Sequence, residues 1–452
     1  MSEQPHILLV SFPAQGHINP TLQLADRLFR IGLQVTFATS FSAHKHISKT
    51  QNTPPGLSIL CFSDGYDQGF TLGHGSGNFM SQFKLHGMKN LKHLILDINS
   101  QGARRPITHI IYCHLVYWAS IVARELHIPS TMLWNQAATV LGIYYHNFHG
   151  YEDFIRENVN KASFSVTFPG LHPLSIRDLP SFFHPSNEHV FVLPLLKQQF
   201  EILDDKETST KVLVNTFDAL ESETLKALNE YPAIGVGPLI PSSFLDGRDL
   251  SDNSKEYMKW LSSKASNSVI YVSFGSLSVL AKPQMEEIAR ALIDTGHPFL
   301  WVIRETDKEK ELSCRGELEK QGMIVPWCSQ VEVLSHPSIG CFMSHCGWNS
   351  TFESLTCGIP MVGFPQWADQ ATNVKLVQDV WKTGVRVAER NDGLVEADDI
   401  KRCLDLVMGS NERGEEMRLN ANKWKELARE ATMEGGSSDK NLRTFVDEVL
   451  RG

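Results

Sequence analysis

Residues 327–370 read WCSQVEVLSHPSIGCFMSHCGWNSTFESLTCGIPMVGFPQWADQ, and this stretch carries the clearest pattern in the chain. Within it, an apolar run from Ile339 to Met343 ends in Ser-His-Cys-Gly at 344–347, and a helix-like stretch follows from Asn349. A second apolar run, Met361 to Phe364, leads into another polar cluster. Short apolar runs separated by a helix predict buried parallel strands joined by crossover helices, so we expect an α/β sheet.

The junction between the first of these strands and its helix is typical of a phosphate site. The backbone N–H groups of a first helical turn have no partners within the helix and, together with the helix dipole, attract anions. His345 at the strand end adds side-chain donors, as do Asn349 and Ser350 in the first turn, and Glu353 follows one turn later. The segment is therefore predicted to hold a diphosphate.

The same stretch resembles the signature box of plant family 1 glycosyltransferases, which use UDP-sugars. The shared residues are Trp327, Gln330, HCGWNS at 345–350, Glu353 and Asp369-Gln370. Three further motifs carry the same resemblance: FPAQGHINP at 12–20, SFGS at 273–276 and EGGSSDKN at 434–441. Across its length the chain looks closest to the branch of anthocyanin 5-O-, flavonoid 7-O- and carboxyl glucosyltransferases.

The resemblance implies the GT-B fold, in which two Rossmann-like, doubly wound domains face a cleft. The chain length of 452 residues agrees, because it is too great for one compact core. A stretch rich in Gly, Pro, Ser and Asp separates two halves with alternating strand and helix patterns. We therefore expect an acceptor-binding domain at 1–234, a linker at 235–256 and a UDP-sugar-binding domain at 257–452. In the resembled family the terminal helix, here roughly 411–451, packs back on the first domain.

Composition and charge argue against several other classes of protein. Hydrophobic residues make up 42% and charged residues 21% of the chain, as in an ordinary globular protein. The net charge of −9 argues against a nucleic-acid partner, which requires a basic face. The eight cysteines include no Cys-x-x-Cys pair, and no apolar run is long enough for a signal-peptide core or a bilayer span. We expect a cytoplasmic monomer that binds small molecules.

His17 is the candidate catalytic residue. It lies in PAQGHINP, a predicted loop between a strand at 6–12 and a helix at 21–30. A neutral imidazole there could take a proton from a bound hydroxyl, whereas the alternative is a histidine that only satisfies backbone groups. In the resembled family, the histidine of this motif is the general base.

The usual partner of that base is missing from this chain. The family has an aspartate behind the histidine, and the corresponding position here is Cys113, in IIYCHLVYW. A thiol holds a negative charge only when its pKa is strongly lowered. His114 is adjacent, but alternation along a strand predicts that it points to the opposite face. The missing carboxylate favours acceptors that are already acidic, such as carboxylic acids and acidic phenols.

The resemblance also assigns the nucleotide-binding residues. Trp327 would stack on uracil, while Gln330 and the backbone at Cys328 would bind the uracil edge. Glu353 would accept hydrogen bonds from the ribose hydroxyls. The phosphates would be held by Ser276, His345, Asn349 and Ser350.

The sugar would be held by Trp348, Asp369 and Gln370. In the family, a glutamine at the last box position goes with glucose, so Gln370 implies UDP-glucose as the donor. Asn135, in LWNQ, would also lie near the sugar. We expect no metal or other cofactor, because the chain has no Asp-x-Asp motif to hold Mn²⁺ or Mg²⁺. The helix dipole, His345 and hydroxyl donors would stabilise the leaving UDP instead.

The acceptor pocket is expected in the N-terminal half. An apolar, aromatic cleft suits flat phenolic or terpenoid molecules, although most aromatic residues in a domain of this size belong to its core. The candidate segment is the loop 182–195, and the candidate side chains are Trp118, Trp134, Tyr144, Tyr145 and Phe148.

These observations predict an inverting glucosyltransferase. UDP-glucose would donate glucose to a hydroxyl or carboxyl of a plant phenolic, flavonoid, terpenoid or hormone, giving a β-glucoside or a glucose ester. Two alternatives remain open on this reasoning: C-glucosylation of a phenolic ring, and a UDP-sugar-binding protein without turnover. A C-glucoside would resist acid and β-glucosidase, and release of UDP would count against the binding protein.

Overall fold

The chain divides into two compact units. Unit 1 contains Met1–Ile176, Phe182–Ile240 and Ala431–Gly452, and unit 2 contains Arg177–Ser181 and Pro241–Glu430. The computed structural model describes residues 5–50, 57–69, 76–100, 105–161, 164–184, 191–205, 211–228, 230–241, 255–304, 312–390 and 392–451. The domain boundaries read from the sequence stay a prediction, and most of the predicted linker, 242–254, lies outside the described residues.

Unit 1 is built around a parallel sheet. Its strands are β1 (His6–Val10), β2 (Gln34–Ser40), β3 (Ser58–Phe62), β4 (His109–Cys113), β5 (Ser130–Trp134), β6 (Ser165–Val166), β7 (Leu174–Ser175), β8 (Val212–Val214) and β9 (Ala233–Gly235). Seven of them pair in parallel in the order β3-β2-β1-β4-β5-β8-β9, while β6 and β7 form a separate antiparallel pair.

Helices connect the strands of unit 1, as parallel pairing requires. They are α1 (Gln15–Arg30), α2 (Phe41–Thr50), α3 (Ser76–Ser100), α4 (Trp118–Glu125), α5 (Ala138–His146), α6 (Glu152–Asn158), α7 (Val192–Asp204) and α8 (Asp218–Ala227). A kink at Asn147–Tyr151, where His149 and Gly150 have non-helical backbone angles, joins α5 to α6, and two 3₁₀ turns span Ile176–Asp178 and Ser181–Phe183.

Unit 2 repeats this design with a six-stranded parallel sheet. Its strands are β10 (Val269–Ser273), β11 (Phe299–Val302), β12 (Met323–Val325), β13 (Ile339–Ser344), β14 (Met361–Gly363) and β15 (Gly384–Arg386). They pair in the order β12-β11-β10-β13-β14-β15. The helices from here to the end of the chain are α9 (Glu256–Ser262), α10 (Lys282–Thr295), α11 (Arg315–Gln321), α12 (Gln330–Leu334), α13 (Trp348–Cys357), α14 (Gln370–Lys375), α15 (Ala397–Met408), α16 (Glu412–Thr432) and α17 (Ser437–Arg451).

The apolar runs of the sequence form strands that are buried on both faces. Every residue of β1, β4 and β13 is buried. Because the carboxyl ends of parallel strands lie at one edge of a sheet, this edge collects the residues that follow each strand. Cys113 ends β4 in unit 1, and His345 directly follows β13 in unit 2.

The first helix begins earlier than the sequence predicts. Gly and Pro in PAQGHINP favoured a loop up to residue 20, but α1 starts at Gln15, after Ala14 in an extended conformation. Pro20 lies inside α1, where it has no N–H to donate toward the Gly16 carbonyl, and the helix continues past it to Arg30. His17 is therefore a first-turn helical residue and not a loop residue.

The end of the chain is helical, as its sequence predicts. The stretch 411–451 forms α16 and α17, separated by a break that contains Gly435. Gly435 has a left-handed backbone (φ 79°), which glycine adopts without strain. The last helix, α17, belongs to unit 1.

Candidate active site

The turn between β13 and α13 places His345 between two glycines. A Cβ atom on Gly275 would lie 2.7 Å from the His345 ring, and one on Gly347 would lie 2.6 Å from it, both closer than packing allows. Burial lowers the pKa of His345 to about 4, so the imidazole is neutral near pH 7. Glycine on both sides thus admits a neutral hydrogen-bonding ring beside the N-terminus of α13.

A bonded network lies on the first turns of α13. The Gln330 Nε2 group donates to the Ser350 hydroxyl (2.8 Å) and to the Glu353 carboxylate (2.7 Å). Burial raises the pKa of Glu353 to about 7, although the bond from Gln330 acts in the opposite direction. Three predicted nucleotide-binding residues are therefore brought together, and the Gln330 amide protons already serve this network.

The predicted uracil platform is accessible. The Trp327 side chain is 55% exposed, which is unusual for so large an aromatic group and leaves its face open to stacking. Cys328 beside it is buried, and its sulfur lies 3.3 Å from the Tyr271 hydroxyl. Burial raises the pKa of Cys328 to about 11, so it remains a neutral thiol.

The loop after β10 presents Ser276 at the surface of unit 2. Gly275 before it has a left-handed backbone (φ 73°). The Arg304 guanidinium donates to the backbone carbonyls of Ser276 and Ser278, and so holds the loop from the neighbouring strand. Asn349 lies in the first turn of α13 and is partly exposed.

Asp369 is buried and is hydrogen-bonded to the turn between β13 and α13, which also contains His345. The Asn373 amide donates to the Asp369 carboxylate (2.6 Å) and to the Cys346 carbonyl (2.9 Å). The backbone N–H of Trp348 also donates to Asp369. Burial nevertheless raises the pKa of Asp369 to about 6, because these bonds offset only part of the desolvation.

Gln370 and Trp348 take different positions in unit 2. The Gln370 Oε1 atom accepts hydrogen bonds from the backbone N–H groups of Gln366 (2.7 Å) and Trp367 (3.0 Å), which fixes the direction of its amide. The Trp348 ring is 3% exposed and stacks on Phe352, with centroids 4.8 Å apart. Contact of Trp348 with a sugar would therefore come from its backbone and not from its ring.

In unit 1, His17 is wedged between aromatic rings. Its ring centroid lies 5.2 Å from that of Phe12 and 4.5 Å from that of His114. Burial lowers the pKa of His17 to about 4. Its Nδ1 atom is buried and has no hydrogen-bond partner among the described residues. The imidazole is thus held by packing, and the group that usually orients such a base is missing.

Cys113 does not replace that group. The backbone N–H of Phe12 donates to its sulfur over 3.0 Å, and the Ser11 side chain also forms a hydrogen bond with Cys113. Burial raises the pKa of Cys113 to about 12. A neutral thiol cannot stabilise an imidazolium ion as a carboxylate does.

The prediction that His114 points away from His17 is wrong. Strand β4 ends at Cys113, and Leu115 has a left-handed backbone (φ 72°), so strand alternation no longer applies at residue 114. The His114 Nδ1 atom accepts a hydrogen bond from the Asn135 backbone N–H (3.2 Å). Burial and the nearby His17 ring lower the pKa of His114 well below its usual value, so this second imidazole is neutral.

Asn135 has an unsatisfied side chain. It is 3% exposed, and neither its Oδ1 nor its Nδ2 atom meets a partner within the described part of the chain. An unpaired buried amide is costly, so a ligand that supplies both a donor and an acceptor would be favoured there.

The predicted acceptor aromatics fall into two groups. Trp118, Trp134 and Tyr144 are at most 1% exposed and belong to the packed interior. Tyr145 stacks on His149 (4.4 Å), and Phe148 lies parallel to Tyr144 (6.5 Å). Of the predicted loop 182–195, residues 185–190 lie outside the described residues.

Comparison with known proteins decides the family. Residues 204–421 match the family described as UDP-glucoronosyl and UDP-glucosyl transferase. A relative from Gardenia jasminoides, "Crocetin glucosyltransferase, chloroplastic", is 53% identical and aligns with 100% of this chain and 99% of its own length. The chain belongs to the UDP-glycosyltransferase family.

Two further similarities support this assignment. The anthocyanidin 3-O-glucoside 5-O-glucosyltransferase of Verbena hybrida is 49% identical over 98% of this chain and 99% of its own. The crystal structure of Os79 from O. sativa, in complex with U2F and trichothecene, is 34% identical, with a TM-score of 0.87 over 98% of this chain and 100% of Os79. The predicted family, the GT-B fold class and a UDP-glucosyltransferase activity are confirmed.

Within the described residues of this UDP-glycosyltransferase, no helix is long and apolar enough to cross a membrane. The His, Cys, Asp and Glu side chains in the same ranges form no group of three that could hold a metal ion.

The sequence alone did not reveal several residues of this UDP-glycosyltransferase site. Arg304 lies 28 residues from Ser276 and carries no local signal. Asn373 could have been found, because it lies four residues after Asp369 and so faces it across one helical turn. Phe12 packs on both His17 and Phe83, and no spacing rule predicts that contact.

Proposed function

We propose that this UDP-glycosyltransferase transfers glucose from UDP-glucose to a hydroxyl or carboxyl oxygen of a small plant metabolite, with inversion at the anomeric carbon. The observation that carries the proposal is the bonded set of Gln330, Ser350 and Glu353 at the start of α13. It puts a carboxylate and a hydroxyl beside a helix N-terminus, and this combination suits a ribose and a diphosphate. The exposed face of Trp327 supports stacking on uracil.

The donor is held by groups on unit 2. Glu353 accepts hydrogen bonds from the ribose hydroxyls, and Asp369 and the oriented amide of Gln370 bind glucose hydroxyls. The Trp348 backbone, whose N–H already bonds Asp369, supports the same pocket. The residues that bind the two phosphates are Ser276, His345, Asn349 and Ser350.

The proposed reaction is a single displacement. The acceptor oxygen attacks the anomeric carbon from the face opposite UDP, the bond from that carbon to the UDP oxygen breaks, and its electrons go to the diphosphate. His17 takes the proton of the acceptor hydroxyl. The dipole of α13 and the neutral His345 ring stabilise the leaving diphosphate without a metal ion.

The acceptors that we propose are acidic ones. Burial lowers the pKa of His17 to about 4, and Cys113 offers it no negative charge, so His17 is a weak base. A carboxylate needs no base, and an acidic phenol needs little help. The relatives named for crocetin and for anthocyanidin 3-O-glucoside support small plant metabolites as acceptors.

We also propose a cytoplasmic monomer without a nucleic-acid partner. The net charge of −9 supports the last point, because phosphate backbones repel an acidic protein. Size-exclusion chromatography and a fluorescent fusion test the others. A stable dimer, or accumulation in the chloroplast as the name of one relative suggests, would overturn them.

The function is tested by incubating the purified protein with UDP-glucose and a panel of carboxylic acids, phenols and alcohols. We expect β-glucosides or glucose esters, identified by mass and by the anomeric coupling in NMR, with acidic acceptors turned over fastest. UDP-galactose serves as the matched donor control and should react more slowly. A product that resists acid and β-glucosidase would indicate C-glucosylation, and UDP binding without turnover would overturn the proposal.

A further inference from the structure

Residues 177–181, here called the strap, join unit 2 from an unexpected part of the chain. The chain up to Ile176 and from Phe182 belongs to unit 1, yet Arg177–Ser181 belongs to unit 2. Its sequence is RDLPS, and none of the motifs described above includes it.

The strap pairs with the residue that precedes Asp369. The Ser181 backbone N–H donates to the Ala368 carbonyl (2.9 Å), and the Ala368 N–H donates to the Ser181 hydroxyl (2.7 Å). Ala368 has a left-handed backbone (φ 56°), which is unfavourable for a residue with a Cβ atom. The two bonds from Ser181 therefore hold a strained residue at the start of the Asp369-Gln370 segment.

A partly buried ion pair anchors the other end of the strap. The Asp178 side chain is 7% exposed and lies 3.1 Å from the Arg386 guanidinium. The backbone carbonyl of Asp178 accepts a hydrogen bond from the Thr372 hydroxyl (2.7 Å). Thr372 lies on α14, the helix that begins at Gln370. The strap thus contacts the Asp369-Gln370 segment on both sides.

This placement matters because a sugar site needs precise geometry. Residues that distinguish one hydroxyl configuration from another must be held by neighbours whose own positions are locked. Asp369 gets its direction from Asn373, whereas the backbone that carries it depends on Ala368. None of the bonds described for the strap reaches Gln330, Ser350 or Glu353.

We infer that Ser181 and Asp178 are positioning residues for the sugar of the donor, acting through Ala368 and α14. The inference rests on the proposed function, in which Asp369 and Gln370 bind glucose. The strap acts on sugar recognition and leaves recognition of the nucleotide unchanged.

The test compares UDP-glucose with UDP in Ser181→Ala, which removes the hydroxyl that accepts from Ala368. Loss of one hydrogen bond at this position should raise KM for UDP-glucose about five- to tenfold and reduce the preference for UDP-glucose over UDP-galactose. The Kd of UDP, measured by calorimetry, should change by less than about twofold. Ser181→Thr keeps the hydroxyl and should restore both properties.

Two further variants keep the result decisive. Arg177→Ala, in the same strap but with an exposed side chain, is the matched control and should behave like the wild type. Asp178→Asn removes the negative charge facing Arg386 and should show the same selective effect on UDP-glucose. This variant provides the test if Ser181→Ala does not fold. Equal weakening of UDP and UDP-glucose, or unchanged sugar preference in both variants, would overturn the inference. Failure of the wild type to bind UDP or to transfer glucose would instead count against the proposed function.

Discussion

Two predicted sites differ in how their polar groups are satisfied: the nucleotide-binding residues of unit 2 and the residues around His17 in unit 1. In unit 2, Gln330 bonds both Ser350 and Glu353. Among the described residues, no predicted nucleotide-binding side chain has a buried polar atom without a partner. In unit 1, His17 Nδ1 and both polar atoms of the Asn135 side chain find none in the same described ranges.

This difference indicates which of the two sites is preorganised before its ligand binds. A site whose donors and acceptors are already bonded needs no reorganisation when its ligand arrives. An unsatisfied buried polar group costs about 1–3 kcal/mol, which a ligand carrying the right atoms recovers. We infer that nucleotide recognition is built into unit 2, while the acceptor's own oxygen atoms complete the site around His17.

Substitution of His17 tests the site with unsatisfied polar groups, and it should have the largest effect on the rate of transfer. His17→Ala removes the proposed base, so transfer to a neutral alcohol should fall by about 10²–10⁴-fold in kcat. Transfer to a carboxylic acid, which is already ionised, should fall much less. The Kd of UDP should not change, because the predicted nucleotide-binding residues lie in unit 2.

His172→Ala is the matched control for that experiment, since His172 is an exposed histidine of unit 1. Near-normal transfer to alcohols by His17→Ala would remove His17 as the base. Loss of UDP binding would mean that the two halves are not separable in the way that the comparison implies.

The hydrogen-bonded site of unit 2 can be tested through the pH dependence of UDP-glucose binding. In the proposed donor site, Glu353 accepts ribose hydrogen bonds when it is ionised, so a bound ligand would favour the deprotonated form. Because burial raises the pKa of Glu353 to about 7, affinity for UDP-glucose should rise about tenfold from pH 6 to pH 8 and level off above that. UDP-glucose is used because its diphosphate, esterified at both ends, does not titrate in this range.

Glu353→Gln isolates this effect from the titration of Asp369, whose pKa burial raises to about 6. The amide cannot ionise, so the variant should bind about tenfold more weakly at pH 8 and lose most of the pH dependence. Calorimetry across the pH range measures both quantities. An unchanged slope in the variant would show that Glu353 is not the titrating group.

Cys113→Asp should bring the His17 site closer to the usual arrangement. The new carboxylate would gain the Phe12 N–H as a donor and could accept from His17 Nδ1, which stabilises the protonated base. We expect the rate with a weakly acidic alcohol to rise about tenfold and the rate with a carboxylic acid to change little. Cys113→Ser is the neutral control. Equal changes for both acceptor types would contradict the argument from the missing carboxylate.

Two features of unit 2, the predicted nucleotide site and the strap, differ in how far the sequence predicted them. The contact between Gln330 and Glu353 was predictable because the two residues are only 23 positions apart, and the helix start between them has a recognisable pattern. The strap was not, because Ser181 and Ala368 are 187 residues apart and no spacing rule relates them.

Two predictions from the sequence, the start of α1 and the direction of His114, were wrong for reasons found in the nearby backbone. The start of α1 was missed because Gly16 and Pro20 favour a loop in general, whereas the packed helix tolerates both near its N-terminus. The direction of His114 was missed because strand alternation was extended past Cys113 into a turn with Leu115 in a left-handed conformation. Strands β1, β13 and β14 were predictable, since their continuous apolar runs leave few alternatives in a parallel sheet.

The smallest expected effect concerns His114, whose ring contacts both His17 (4.5 Å) and Trp134 (4.6 Å). His114→Phe keeps a flat ring but loses the acceptor of the Asn135 N–H, and His114→Asn keeps a polar acceptor but loses the ring. If packing orients His17, the Phe variant should stay within about threefold of the wild-type kcat and the Asn variant should fall further. Because its environment lowers the pKa of His114 well below the usual value, neither variant should move the acid limb of the kcat/KM profile. A shift of that limb by a full pH unit in His114→Phe would show that His114 titrates with His17. In that case the two rings would share a proton, and the unit 1 site would have an internal partner for its base after all.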